Sequence, residues 1–153
     1  MSAQLDNLPK LRSMRAADLD RIMEIEPVIY AHPWTRGNFD DSMRVGYSCW
    51  VIDCGGVVVG YGVLMIGVRE AHLLNLSVAA EWQGRRLGRS LLEHFVRIGR
   101  DSNAQQIFLE VRPSNTSARR LYAESGFRDI CVRRGYYPGA GGREDAILMG
   151  LML

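Results

Sequence analysis

Apolar residues change their period several times along this chain, and each change marks an element. Leu11 to Met14 reads as a short strand. From about Asp18, the residues Leu19, Ile22, Met23 and Ile25 or Glu26 follow helical spacing. Pro27 interrupts or bends that helix, and His32-Pro33-Trp34 is a loop before a short helix capped by Thr35. Ser48 to Asp53 and the β-branched run Val57 to Val68 flank a Gly55-Gly56 turn and predict a hairpin. Glu70 to Val78 supplies the next strand, and Gln83 to about Arg100 a helix whose Leu87, Leu91, Leu92, Phe95 and Ile98 form one apolar stripe. A strand at Gln106 to Val111, a helix at Asn115 to Ser125 stopped by Gly126, and strands near Phe127 to Arg133 and Ala146 to Leu153 complete the set. The order βα(α)βββαβαββ predicts an α/β (α+β) fold, mostly meander, with parallel pairing where the two later helices cross over.

Length and composition narrow the class. With 153 residues and 47% hydrophobic content, residues 1–153 are expected to form a single domain. Repeats, low-complexity segments and linkers are absent from the pattern. Met1 to Pro9 mixes Gln4, Asp6 and Asn7 with isolated apolar residues and does not read as a secretory leader. No uncharged stretch reaches the roughly 18 residues of a membrane span, so no membrane contact and a cytoplasmic location are expected. Cys49, Cys54 and Cys131 form neither a CxxC pair nor a metal-ligand cluster, which predicts reduced, mostly buried thiols and no metal. A net charge of +2 argues against direct nucleic acid binding. Lys10 is the sole lysine and lies in a terminal segment without a visible activating partner, which argues against a lysine nucleophile.

Two segments carry candidate chemistry. Phosphates sit well where consecutive backbone N–H groups point outward at a helix N-terminus and small residues allow close approach. Gln83-Gly84-Arg85-Arg86-Leu87-Gly88 occupies such a place between a strand and an amphipathic helix, and Arg85, Arg86 and Arg89 add positive charge. Taken alone, the stretch is equally a plain turn. The second segment begins with Glu110 in the apolar strand Phe108 to Val111, where a charge must face either solvent or a polar site. Asn115 is either a helix cap or a polar contact. Tyr122 lies on the stripe of Ala118, Leu121 and Ser125, which fits core packing as well as chemistry.

In combination these stretches resemble the GCN5-related N-acetyltransferases. The resemblance rests on the strand and Gln83-to-Gly88 turn, on Leu109-Glu110-Val111-Arg112 continuing through Ser114-Asn115, Ala118 and Leu121-Tyr122 to Gly126-Phe127, on Arg133-Arg134-Gly135-Tyr136-Tyr137-Pro138, and on Gly142-Arg143-Glu144-Asp145-Ala146. It spans roughly residues 11–151, and its later stretches point to the bacterial subgroup that acetylates the amino-terminal alanine of ribosomal protein S18. The resemblance implies a mixed central sheet of six to seven strands flanked by about four helices, with acetyl-CoA as co-substrate and no metal. It implies that the main chain of Leu76, Ser77 and Val78 pairs with the pantetheine arm. The turn of Gln83, Gly84, Arg85, Arg86, Leu87, Gly88 and Arg89 is then expected to hold the pyrophosphate, with Asn115 contacting the cofactor. Glu110 corresponds to the general base and Tyr122 to the general acid. Trp34, Tyr136, Tyr137, Glu144 and Asp145 are expected to line the acceptor groove. His72 and His94 are expected to be structural. Arg86 departs from the family pattern, standing where the first of two glycines is usual; its N–H remains available if its φ is helical.

These roles are chemically coherent. An α-amino group with a pKa of about 7.7–8.0 is roughly a tenth neutral near pH 7, against a few parts in ten thousand for lysine at about 10.4. A modest base suffices for it, so Glu110, near 4.3 as a model carboxylate, can serve if burial raises its pKa or if it acts through water. Proton transfer from a phenol to a thiolate is uphill by about 2 kcal/mol, so Tyr122 is expected to stabilise the departing thiolate by a hydrogen bond and share its proton. Direct transfer in a ternary complex needs no covalent enzyme intermediate. Two alternatives stand beside this reading: an acetyltransferase with a lysine or small-amine acceptor, and a CoA-binding module that has lost catalysis.

Overall fold

The computed structural model describes residues 8–139 and 142–153. Most of the segment read for a leader therefore lies outside the described residues. Seven strands, β1 (Pro9–Ser13), β2 (Ser48–Cys54), β3 (Val57–Ile66), β4 (Glu70–Val78), β5 (Gln106–Val111), β6 (Arg128–Gly139) and β7 (Gly142–Met152), accompany four helices, α1 (Leu19–Ile29), α2 (Arg36–Arg44), α3 (Leu87–Asp101) and α4 (Thr116–Glu124). The strands form one sheet in the order β1-β2-β3-β4-β5-β7-β6. Among the described residues no helix is long and apolar enough to cross a membrane. Contacts divide the chain into two units, the described parts of Met1–Met65 with Asn75–His94 and of Ile66–Leu74 with Phe95–Leu153. β4 and α3 contribute residues to both.

In the first unit β1, β2 and β3 pair antiparallel, as the hairpin signal at Gly55-Gly56 predicts. Both of those glycines have positive φ, 62° and 88°, which a tight turn between twisted strands demands. On α1 the buried face is Ile22, Ile25 and Glu26, so helical spacing carries a carboxylate into the interior. Pro27 does not end that helix. It removes one amide donor at an exposed position, and the chain stays helical to Ile29, where the Tyr30 amide still bonds the Glu26 carbonyl at 3.1 Å. Thr35 caps α2 as expected, accepting from the Asn38 amide at 3.1 Å.

In the second unit β4 and β5 pair in parallel, with His72 opposite Phe108. The expectation of a second parallel pair is corrected: β7 lies between β5 and β6 and is antiparallel to both. The returning hairpin gives residues 147–150 of β7 a partner strand on each side, β5 on one and β6 on the other. β6 and β7 also extend through residues read as loop, with the register shifting between Arg133 and Tyr137, where Gly135 has φ +61°. α3 begins at Leu87 rather than Gln83, leaving residues 83–86 in the turn. Thiol burial is corrected as well. Cys49 is buried, Cys54 half-buried and Cys131 exposed.

Gly60 on β3 shows how closely β3 and β4 approach in the first unit. A Cβ built there lies 3.1 Å from both Ile52 Cδ1 and the Ser77 carbonyl oxygen. The carbonyl belongs to strand backbone and yields little. Gly60→Ala is expected to lower the unfolding free energy by about 1 kcal/mol or more, measured by urea denaturation, because overpacking here presses on main chain.

Candidate active site

The first unit holds the turn and the strand that are expected to bind the cofactor. Along β4 burial alternates, so Asn75 and Ser77 are buried while Leu76 and Val78 are half-exposed on the opposite face. The Gln83 side chain donates to the Val78 carbonyl at 3.0 Å, fastening the turn to the end of the strand. After extended Gln83, Gly84 has φ +79° and Arg86 φ +63°. The condition of a helical φ at Arg86 is therefore not met: the residue is left-handed. This explains the family's usual glycine at that position, because a Cβ there crowds the following carbonyl. The left-handed residues turn backbone amides into a concave path leading to the helix. The Ser90 amide bonds the Arg86 carbonyl at 3.1 Å, so the amides of Leu87 and Gly88 lie in the first turn, where helix geometry supplies no carbonyl acceptor. Arg85 and Arg86 are exposed, and the Arg85 guanidinium lies 4.7 Å from the Trp82 ring centroid. Backbone amides, a glycine with open space around it and arginines suit a pyrophosphate.

Trp34, the acceptor-side candidate of this unit, is half-buried. Its ring packs on Phe39 with centroids 5.0 Å apart, and its amide donates to the Glu26 carboxylate at 2.8 Å.

The second unit holds the proton-handling candidates. Glu110 shares a face of β5 with Phe108, and Phe108 lies opposite His72 on β4, so parallel register brings His72 and Glu110 side chains together. His72 Nε2 lies 2.6 Å from Glu110 Oε2, and Arg133 of β6 approaches Oε1 at 3.7 Å. The carboxylate is only 12% exposed. Burial does not prevail, so the first of the two conditions for Glu110 as a base, a raised pKa, is not met. The hydrogen bond from His72 is the largest influence and holds Glu110 below the ordinary carboxylate value, with Arg133 adding to it and burial opposing. Glu110 therefore stays anionic at neutral pH. His72, expected to be structural, contacts the candidate base; the signal for this was the strand register, which the sequence pattern leaves unspecified.

Tyr122 is buried on α4, its ring 5.8 Å from that of Phe127. Asn115 is the cap of α4, its Oδ1 accepting from the Ala118 amide at 3.3 Å. Tyr136 and Tyr137 pack edge to face at 4.9 Å, not in a loop but on β6. Arg112 lies over the Tyr137 ring at 4.3 Å, and burial with the nearby Glu110 charge pushes the Tyr137 phenol up to about 12. Glu144 accepts from Ser114 Oγ at 2.8 Å and lies 3.9 Å from Arg112, while Asp145 accepts from the Gly135 amide at 2.9 Å. Both acidic candidates thus brace the hairpin that presents the tyrosines. Among the described residues no group of three or more His, Cys, Asp or Glu side chains could hold a metal ion.

The turn suits a phosphate-bearing group, and separately the strand carboxylate stays anionic. The profile of the Acetyltransferase (GNAT) family matches residues 19–127, and the chain belongs to that family. It is 34% identical over 141 residues to the [ribosomal protein bS18]-alanine N-acetyltransferase of Escherichia coli K12, covering 92% of this chain and 95% of that protein. The enzyme of the same name from Haemophilus influenzae is 31% identical over 144 residues, covering 94% and 98%. The crystal structure of the Escherichia coli ribosomal-protein-S18-alanine N-acetyltransferase superposes with a TM-score of 0.88 at 33% identity, covering 95% of this chain and 94% of that one. Arabidopsis thaliana NAA60, solved in complex with acetyl-CoA, shares the fold at a TM-score of 0.85 and 17% identity, covering 95% and 99%.

Two outcomes follow from this geometry. Arg86→Gly is expected to raise the unfolding free energy by about 0.5–1 kcal/mol in urea titration, since relief of left-handed strain exceeds the added unfolded-chain entropy. For Glu110 the folded pKa is lowered, so its stabilising contribution is present above the unfolded value near 4.3 and is lost as pH falls through the folded value. The stability gap between wild type and Glu110→Gln should therefore narrow from pH 7 towards pH 3, and His72→Leu should diminish the gap at pH 7.

Proposed function

We propose that this chain is an acetyl-CoA-dependent N-α-acetyltransferase whose acceptor is the amino-terminal alanine of ribosomal protein S18, with residues 1–153 acting as one catalytic domain. The observation that carries this reading is the 34% identity to an S18-alanine acetyltransferase across 92% of this chain and 95% of that protein. An acceptor on a ribosomal protein puts the reaction in the bacterial cytoplasm.

In this reading acetyl-CoA supplies the activated acetyl group, and the chain supplies binding, orientation and proton handling. The main chain of Leu76, Ser77 and Val78 holds the pantetheine arm. The turn from Gln83 through Gly84, Arg85, Arg86, Leu87 and Gly88 to Arg89 holds the pyrophosphate, its amides and guanidinium groups matching the anion. Asn115 contacts the cofactor with the side chain that also caps α4. Trp34 of the first unit and Tyr136 and Tyr137 of the second contact the acceptor, and Glu144 and Asp145 contribute negative charge near the two tyrosines.

The acceptor nitrogen attacks the thioester carbon; the C–N bond forms and the C–S bond breaks by direct transfer in a ternary complex. Glu110 accepts the amine proton, directly or through water, and Tyr122 donates a hydrogen bond to the leaving sulfur and shares its proton with it. The anionic state of Glu110 supports its role as the proton acceptor.

Incubation with acetyl-CoA and peptides copying the S18 amino terminus is expected to acetylate the α-amine, with turnover depending on the first residue. A lysine or small amine serving as well would replace this acceptor with another. Glu110→Gln and Tyr122→Phe should each lower kcat by about 10²-fold or more while acetyl-CoA affinity stays within about twofold. Unchanged kcat in both would remove the assigned roles.

A further inference from the structure

The first unit contains a buried polar network that the proposed chemistry does not use. Glu26 on α1 is 1% exposed, and its partners are a main-chain amide, a phenol and a carboxamide, none of them a cation. Oε2 accepts from the Trp34 N–H at 2.8 Å; Oε1 accepts from the Tyr61 hydroxyl at 2.9 Å and from Asn75 Nδ2 at 3.2 Å. Asn75 Oδ1 in turn accepts from the Ser77 hydroxyl at 2.8 Å. The Tyr30 hydroxyl donates to the Leu76 carbonyl at 2.9 Å and lies 2.8 Å from Ser77 Oγ.

These bonds fasten both ends of one short loop. Tyr30 begins the segment between α1 and α2, and Trp34 stands near its end, with exposed Ala31, His32 and Pro33 between them. The Trp34 end is held through its own backbone amide, which fixes the chain path and not merely a ring. The Tyr30 end is held to the main-chain carbonyl of Leu76, in the strand assigned above to the pantetheine arm. A buried carboxylate without a cation is an expensive way to fill space, and an apolar residue would pack α1 as well. What Glu26 adds is a defined position for Trp34. We propose that Glu26 and Tyr30 are positioning residues that set the 30–34 loop against the Leu76–Ser77 main chain, so that the first residues of the acceptor peptide meet a preformed surface. The inference rests on the reading of Trp34 as an acceptor contact and of Leu76–Val78 as the cofactor strand.

Preorganisation of this kind affects acceptor binding more than chemistry. With the S18 amino-terminal peptide and acetyl-CoA as probes, Glu26→Leu should raise the peptide KM about tenfold while the acetyl-CoA KM stays within about twofold. Glu26→Gln keeps an oxygen for the Trp34 amide and should return the peptide KM to within about threefold of wild type. Tyr30→Phe deletes one hydroxyl and should also raise the peptide KM. A purely structural network predicts instead a lower melting temperature with both KM values unchanged, and that result would overturn the proposal. Amide hydrogen exchange in the wild-type protein supplies a check that needs no variant: the Trp34 amide should be protected like a core amide, and exchange at the rate of an open loop would also overturn it. Wild-type protein that does not turn over the S18 peptide sinks the acceptor reading and this inference together. Wild-type turnover with unchanged peptide KM in Glu26→Leu and Tyr30→Phe sinks the inference alone.

Discussion

A carboxylate removed from water must find its solvation inside the protein, and Glu26 finds it in three donors spaced far apart along the chain. Trp34 follows it by eight residues, Tyr61 by thirty-five and Asn75 by forty-nine. Leaving any buried donor or acceptor of that set unmatched carries a penalty of about 1–3 kcal/mol, so α1, the loop after it, β3 and the later part of β4 are constrained together. Apolar packing alone tolerates small slips between helix and strand, whereas hydrogen bonds near 3 Å do not. This polar centre fixes its four segments more narrowly than apolar packing alone would.

The two units treat their carboxylates in opposite ways. Burial pushes the Glu26 carboxyl up, and its neutral partners only partly offset that. Glu110 is held below the ordinary value, chiefly by His72 and further by Arg133. Two acids of one chemical type thus receive separate jobs from their surroundings, Glu26 as an internal acceptor of hydrogen bonds and Glu110 as an anion with partial access to water. Arg86 follows the same logic at the backbone level. Its left-handed φ is a local strain of about 1–2 kcal/mol, retained where the amide path after Gly84 must turn into α3.

Much of this was legible in the chain. Alternation along β4 and the stripe of α3 are direct consequences of side-chain period, and the glycine pair at the β2–β3 turn is a requirement of twist. Glu110 and Tyr122 stood out as polar groups in apolar patterns. What escaped is what period does not encode. Register put His72 beside Glu110, thirty-eight positions away, and it depends on which residues of the two strands lie opposite. The direction of the Glu110 shift stayed open for the same reason, since it is set chiefly by an imidazole that only register brings near. Insertion of β7 between β5 and β6 follows from the β6–β7 hairpin, whose residues 134–145 are rich in glycine and charge and look like loop. The network around Glu26 left one trace, a carboxylate at a helical core position.

A lowered Glu110 also bears on which amine this site can use. A carboxylate held below its ordinary range is a weak base towards either amine, and full proton transfer to it is further uphill from lysine than from an α-amino group. The amino terminus also begins with about a tenth of its population neutral at pH 7, so Glu110 need only receive the proton as the C–N bond forms and nitrogen becomes strongly acidic. Lysine would require a base raised towards neutrality by burial, the reverse of what His72 and Arg133 do to Glu110. The imidazole and guanidinium that weaken Glu110 as a base thereby favour, on the proposed reading, an amino-terminal acceptor over a side-chain amine.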